Sequence, residues 1–153
     1  MPEGNGALKA LVQRVNWARV NVSGREVSST GPGMLLLLGV AEPDQEKDTV
    51  YLAAKTASLR IFEDQEGKMN LSIRETGGEV LVISQFTLVA DTSRGNRPGF
   101  GSAAAPERAE PLYEQFIREL AGLGVKVKTG IFGADMAVSL ENDGPVTILL
   151  ESK

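Results

Sequence analysis

Apolar and polar residues alternate through residues 8–15 and again through 18–22, with the β-branched content of strands. Ser23-Gly24 supplies a turn into a further run over residues 25–30. Gly31-Pro32-Gly33 then breaks the chain, and residues 34–40 follow as an unbroken apolar run, the mark of a strand buried on both faces. From Pro43-Asp44 the spacing changes to three and four residues. Val50, Ala53, Ala54 and Ala57 predict the inner face of a helix ending near Leu59. Residues 63–70 are polar and loop-like. Gly77-Gly78 turns the chain into a strand over residues 79–89, and residues 91–105, rich in Gly, Ser and Ala, read as a loop. Pro106 suits the first turn of a second helix, where its missing N–H costs nothing. Leu112, Phe116, Ile117 and Leu120 share one side of that helix, and Gly122 and Gly124 end it. Residues 125–131, 136–140 and 146–150 close the chain as strands.

Strands outnumber helices by roughly three to one in this pattern, which predicts an α+β fold: a strongly curved, barrel-like sheet covered by two main helices. No linker, repeat or low-complexity stretch divides the 153 residues, so one domain spans 1–153. That length buries a core without disulfides or metal staples. The apolar run over residues 34–40 is too short to span a bilayer, and the start of the chain has no signal-peptide character, which makes the cytoplasm the expected compartment.

Composition changes the picture at two points. The chain has no histidine and no cysteine. Thiolate catalysis and cysteine-ligated metal are excluded, and the usual general base at neutral pH is missing. The net charge of −4 argues against a long grip on nucleic-acid backbone, though not against contact with the end of an RNA.

Three polar side chains stand within Ser84-Gln85-Phe86-Thr87, at a strand end before a long loop, where sites tend to lie. The plain alternative is a core strand, with Phe86 and Leu88 facing inward and Gln85 and Thr87 on the other face. Asn142-Asp143-Gly144-Pro145 also has a plain reading, as turn formers joining two closing strands into a hairpin. A proline between apolar runs still needs a reason, since it cannot donate to a ladder, and X-Pro bonds alone go cis with any frequency. Arg14 by itself reads as a solvated strand residue. Arg94 and Arg97, with Lys126 and Lys128, suit a local phosphate contact as readily as plain surface charge.

The segments Ser84-Gln85-Phe86-Thr87-Leu88 and Asn142-Asp143-Gly144-Pro145-Val146-Thr147 resemble the two signature motifs of the D-aminoacyl-tRNA deacylases, read there as SQFTL and NxGPVT. The likeness runs through Gln13-Arg14-Val15, Arg60-Ile61-Phe62, Gly67-Lys68-Met69-Asn70 and Arg94-Gly95-Asn96-Arg97-Pro98. Gly99 departs from it, a serine being common there, and since family members usually begin close to the first strand, the resemblance implies that residues 1–7 are an N-terminal extension. The resemblance implies a homodimer that removes D-amino acids from tRNA without cofactor or metal, with neither membrane nor DNA as partner. Residues 146–150 or 35–38 are candidate apolar contact surfaces for the dimer. It implies that Ser84, Gln85, Phe86 and Thr87 line the pocket for the aminoacylated 3′ end as the catalytic segment. It further implies a cis Gly144-Pro145 whose carbonyl oxygens enter the pocket of the other subunit, with Arg14 close to that loop.

The missing histidine sharpens the chemistry. A threonine hydroxyl is a poor nucleophile without an adjacent base, and neither Lys68 nor Asp91 nor a terminal amine is adjacent to Thr87 in sequence. The alternative is the substrate's own ribose hydroxyl, vicinal to the ester, with the Gln85, Phe86 and Thr87 amides as oxyanion donors. Fixed carbonyls would select handedness by rejection, which ignores side-chain identity and also admits glycyl-tRNA. Two rivals remain: a related deacylase acting on L-aminoacyl errors, and a non-catalytic RNA-binding or replication-associated module.

Overall fold

A computed structural model describes residues 7–152, and its sheet is organised by one long strand, β1 (Lys9–Val22). One edge of β1 pairs antiparallel along its whole length with β8 (Met136–Glu151). The other edge is shared. β3 (Gly33–Gly39) takes the first half, from Lys9 to Val15, and β2 (Arg25–Thr30) takes the second, from Ala18 to Val22. β6 (Glu79–Ser84) and β7 (Lys126–Thr129) then continue the sheet in parallel beyond β3. The far edges meet: the Ser28 hydroxyl donates to the Thr129 carbonyl at 2.7 Å and the Lys128 ammonium to the Ser29 carbonyl at 3.2 Å. The sheet is thereby nearly closed into a barrel.

The two-sided burial expected for the apolar run is found. Leu35 faces the barrel interior with Val15, Val20, Leu81 and Ile83. Met34, Leu36 and Leu38 face outward with Val80 and Val82, under α1 (Glu46–Ser58) and α3 (Pro106–Gly122). Phe116 and Leu120 on α3 are wholly buried there. On α1 the inner face differs from expectation. Ala53 and Ala57 are buried as predicted, but Leu52 and Thr56 complete the stripe, while Val50 is 46% exposed and Ala54 points outward. Leu52 is the larger apolar group and sets the rotation; the Thr56 hydroxyl is satisfied by donating to the Leu52 carbonyl at 2.8 Å.

Three local differences bear on the site. The polar stretch 63–70 contains a small hairpin, β4 (Phe62–Glu63) with β5 (Met69–Leu71), followed by the single-turn α2 (Ile73–Thr76). The strand expected over residues 79–89 ends at Ser84. The hairpin expected at Asn142-Asp143-Gly144-Pro145 is absent: β8 runs straight past it as one strand. Thr147 stands opposite Gln13 and Asn142 opposite Val15, so residues 143–146 all stand against Arg14 alone. The proline is accommodated in this bulge, where no ladder donor is required. Asn142 clamps its ends, accepting from the Val146 amide at 3.2 Å and donating to the Thr147 hydroxyl at 3.1 Å.

Ala7 is buried, and the Leu8 amide donates to the Ser152 hydroxyl at 3.1 Å; the rest of the expected extension, residues 1–6, lies outside the described residues. Among the described residues no helix is long and apolar enough to cross a membrane.

The closeness of β3 and β6 gives a test of the core. A Cβ on Gly33 would lie 1.9 Å from the Glu79 carbonyl oxygen. Gly33→Ala is therefore expected to cost at least the ~1–3 kcal/mol typical of an overpacked interior. Urea unfolding should show a lower midpoint with an unchanged slope; an unchanged midpoint would mean the two strands part freely.

Candidate active site

β6 delivers the first motif to the end of the sheet, and there the chain stops being a strand. The Gln85 amide makes one last ladder-like bond, donating to the Leu38 carbonyl at 2.8 Å. Residues Phe86–Val89 then close a 3-10 turn. Gly39 makes room for it: a Cβ there would stand 2.9 Å from Leu88 Cβ and 3.1 Å from the Gln85 carbonyl oxygen. The turn breaks the alternation that a strand would impose. Phe86 is 58% exposed, Thr87 is exposed and Leu88 half-buried, so Phe86 and Leu88 do not face the core as a strand would have placed them. Only Val89 is buried.

Of the three amides expected to serve an oxyanion, Gln85's is already committed to Leu38. Those of Phe86 and Thr87 open the turn, where helical N–H groups lack a carbonyl of their own helix. The Gln85 side-chain amide donates to the Thr87 hydroxyl.

Phe86 rests edge-on against Phe100, ring centroids 5.0 Å apart. Phe100 follows a loop closed by Asp91 and Gly99, whose backbones exchange two bonds of 2.8 Å. A side chain at Gly99 would meet only the Asp91 carbonyl, at an ordinary 3.7 Å, so glycine there is not sterically required. The Asp91 carboxylate accepts from the Ser93 amide at 2.9 Å; bonding to Ser93, helped by the nearby Arg94 charge, holds it below the usual carboxylate range.

Beside the turn lies a cavity of about 500 Å³, with Ser84, Gln85 and Phe86 on one wall and Phe132, Asp135 and Met136 on the other. Tyr113 backs Phe132 at 5.5 Å and donates to the Val82 carbonyl at 3.3 Å. Its burial, with Glu114 and Glu110 adding to the effect, pushes the phenol up to about 12, so it stays neutral. Phe100 and the loop residues 132–135 of the wall escape the sequence reading because no periodicity marks them.

Arg14 also departs from expectation. It is only 6% exposed, not a solvated strand residue. Its Nη1 donates to the Ile61 carbonyl at 2.7 Å and its Nε to the Asp143 carbonyl at 3.2 Å, with the Asp143 carboxylate also 3.2 Å away. Gly144, next in the bulge, has φ +124, and a Cβ would stand 2.9 Å from Arg14 Nη2 and 2.9 Å from Val146 Cγ2. Only glycine fits there. The Gly144-Pro145 peptide bond is cis, and both residues are exposed.

The two motifs do not meet within one chain. Ser84 lies beside Leu38, which pairs with Ala10, whereas the bulge sits at the level of Arg14, opposite Met34. Four strand residues separate those levels, about 13 Å, with β1 and β3 in between. Neither Gly144 nor Pro145 lines the cavity beside Phe86.

The family model described as D-Tyr-tRNA(Tyr) deacylase matches residues 11–151. A D-aminoacyl-tRNA deacylase of Symbiobacterium thermophilum is 58% identical, over 95% of this chain and 97% of the relative. One of Cytophaga hutchinsonii is 57% identical, over 94% and 97%. Among solved structures, the c-Myc DNA Unwinding Element Binding Protein superposes with a TM-score of 0.90 at 42% identity, covering 95% of this chain and 99% of that one. A probable eukaryotic D-amino acid tRNA deacylase shares the fold at a TM-score of 0.82 and 17% identity, with the same coverage. These likenesses define a hydrolase of the deacylase class. The chain belongs to the D-Tyr-tRNA(Tyr) deacylase family.

Arg14 offers a direct test of the bulge. Arg14→Ala leaves the Ile61 carbonyl without its donor, at an expected cost of about 1–3 kcal/mol. Denaturant unfolding should register that loss, with a fall in deacylation larger than the unfolded fraction explains. Wild-type stability in the variant would mean the guanidinium does not hold the loop.

Proposed function

We propose that the protein is a homodimeric, cytoplasmic esterase that cleaves D-aminoacyl groups from tRNA and rejects L-aminoacyl-tRNA. The observation that carries the reading is the bulge: Arg14, Asn142 and the β1 ladder hold Gly144 and Pro145 outward, away from their own chain's cavity. Main-chain carbonyls presented this way are ready to enter the site of a second copy. There they would accept hydrogen bonds from the substrate's α-ammonium group. An L-residue would have to drive its side chain into rigid backbone, and selection by rejection follows. Glycine has no side chain to reject, so glycyl-tRNA is also expected as a substrate.

The cavity beside Phe86 has room and an apolar lining for a terminal nucleoside, with the ester carbonyl near the Phe86 and Thr87 amides. Thr87 is poorly placed to attack. Its hydroxyl receives a hydrogen bond from the Gln85 amide nitrogen, a donor that cannot take up a proton. With no histidine in the chain, the vicinal hydroxyl of the terminal ribose is the group nearest the ester and assists water attack by proximity. Water adds to the carbonyl carbon, the ester C–O bond breaks, and the ribose oxygen leaves with a proton. No protein cofactor is needed for these steps.

Incubation with D-Tyr-tRNA and L-Tyr-tRNA tests the reading: rapid loss of the D-ester alone supports it. Loss of the L-ester would favour a related L-error deacylase, and inertness toward both a binding module. Thr87→Ala should keep activity within roughly tenfold of wild type, about 1.4 kcal/mol. Collapse to background would restore a side-chain nucleophile. A D-Tyr-tRNA ending in 2′-deoxyadenosine, with the ester on its 3′ oxygen, should turn over on the order of 10²–10⁴-fold more slowly. Normal turnover of it would remove the ribose from the mechanism.

A further inference from the structure

The β4–β5 hairpin and α2 take no part in the site above, yet with the end of α1 they enclose a groove of about 760 Å³. Ser58, Arg60, Asn70, Ser72, Arg74 and Glu75 line it. In a chain of net charge −4, this groove carries two arginines against one carboxylate. That carboxylate is engaged: Glu75 Oε1 accepts from the Ser72 amide at 2.8 Å, completing the capping box of α2. Arg74 makes no hydrogen bond or ion pair with any described residue.

Arg60 is held in place instead. Its Nε donates to the Asn70 carbonyl at 3.1 Å, and a second guanidinium nitrogen donates to Asn70 Oδ1. Asn70 in turn donates to Asp64 at 3.2 Å. Asp64 also accepts from the Glu66 and Lys68 amides, at 2.9 and 3.1 Å, and Gly67 turns the hairpin at φ +77. This network accounts for the Gly67-Lys68-Met69-Asn70 segment: it fixes a guanidinium fork whose remaining N–H groups are unspent. The groove is linked to the bulge through Ile61 and Arg14. Ile61, next to Arg60, gives its carbonyl to Arg14, and the same guanidinium reaches Asp143.

We propose that this groove grips the phosphate backbone of the substrate RNA in trans. The protomer whose Gly144-Pro145 enters a partner's site would also hold the acceptor end whose 3′ terminus occupies that site. Two guanidinium groups and flanking hydroxyl and amide donors suit phosphodiester oxygens, which a planar fork can meet with two bonds. A local contact of this kind needs no basic protein overall. The inference rests on the dimeric deacylase reading and adds the RNA-holding surface to it.

The test compares wild type with Arg60→Ala/Arg74→Ala, with Arg74→Glu alone, and with Lys47→Ala/Arg118→Ala as an equal charge loss elsewhere. Arg74→Glu guards against a folding artefact, because Arg74 bonds to nothing described. Kinetics are measured with D-Tyr-tRNA across a salt series, and with 3′-O-D-tyrosyladenosine, which has no phosphate. The groove variants should raise KM for the tRNA about tenfold or more with little change in kcat. The log–log salt dependence should flatten by about 0.7–0.9 for each phosphate no longer neutralised. Turnover of D-tyrosyladenosine, and both substrates with the Lys47/Arg118 variant, should match wild type. Unchanged KM and salt slope would overturn the proposal, as would an equal loss on the phosphate-free substrate. Mixed dimers of Phe86→Asp chains with Arg60→Ala/Arg74→Ala chains test the arrangement in trans: a normal KM supports it, and a raised one overturns it. Direct binding of uncharged tRNA separates the two readings. A wild type that binds but does not hydrolyse keeps the groove and removes the deacylase; one that hydrolyses with groove variants binding equally well removes the groove alone.

Discussion

A buried guanidinium must find fixed acceptors, and Arg14 finds them on two elements that are far apart in sequence, Ile61 after α1 and Asp143 in β8. With its charge buried, the acceptors have to come to it. That requirement fixes the path of residues 143–146, which all stand against this single residue of β1. It also explains the glycine. Any Cβ at position 144 would press on the same guanidinium, at 2.9 Å, so the cation and the bare backbone occupy adjoining space by necessity.

The other motif is built by the opposite device. Where the bulge is held by a charge, the Phe86 turn is released by an absence, since Gly39 has no side chain to stop Leu88 from folding back. The strand therefore ends after the Gln85–Leu38 bond, and the next amides emerge without ladder partners. A chain lacking histidine has few ways to move a proton near neutral pH, and the proposed mechanism asks its side chains to move none. Both motifs thus present backbone: the Phe86 turn opens on N–H groups without ladder partners, and the bulge leaves Gly144 and Pro145 exposed. They sit at different levels of the sheet and do not meet within one chain.

How much of this was legible beforehand depends on what each residue's signal was. The doubly buried β3 was plain, because seven apolar or small residues in a row leave no polar face. The helix over α1 was plain in place but not in rotation, since alanines at three- and four-residue spacing fit two adjacent stripes and only Leu52 decides between them. The capping pair Ser72 and Glu75, three residues apart, is a start signal for α2 that was not read, because a single turn leaves no periodicity beside it. Arg14 was not legible from its own residue type, because a lone arginine on a strand is usually solvated. Its partners lie 47 and 129 residues away, and no local pattern reports contacts of that range. The hairpin reading of the Gly-Pro segment failed for a related reason: turn formers specify that a chain bends, but the pairing of β8 with all of β1 determines that the bend is a bulge.

That pairing also bears on charge. An acidic chain engages a polyanion only where its few cations are gathered and its carboxylates are occupied, and β1 contributes to both conditions indirectly. By holding Ile61 through Arg14, it fixes where the chain leaves α1 and where Arg60 stands before the hairpin. Asp64 and Glu75, the nearest carboxylates to the two groove arginines in sequence apart from Glu63, are turned into backbone-bonded turn and cap positions rather than left to pair with them. Hydrogen bonding led by the Lys68 amide keeps Asp64 below its usual range, so its charge persists but is spent on organising the loop. The acids therefore shape the surface on which the arginines stand, and the overall charge of the chain is a poor guide to what that surface attracts.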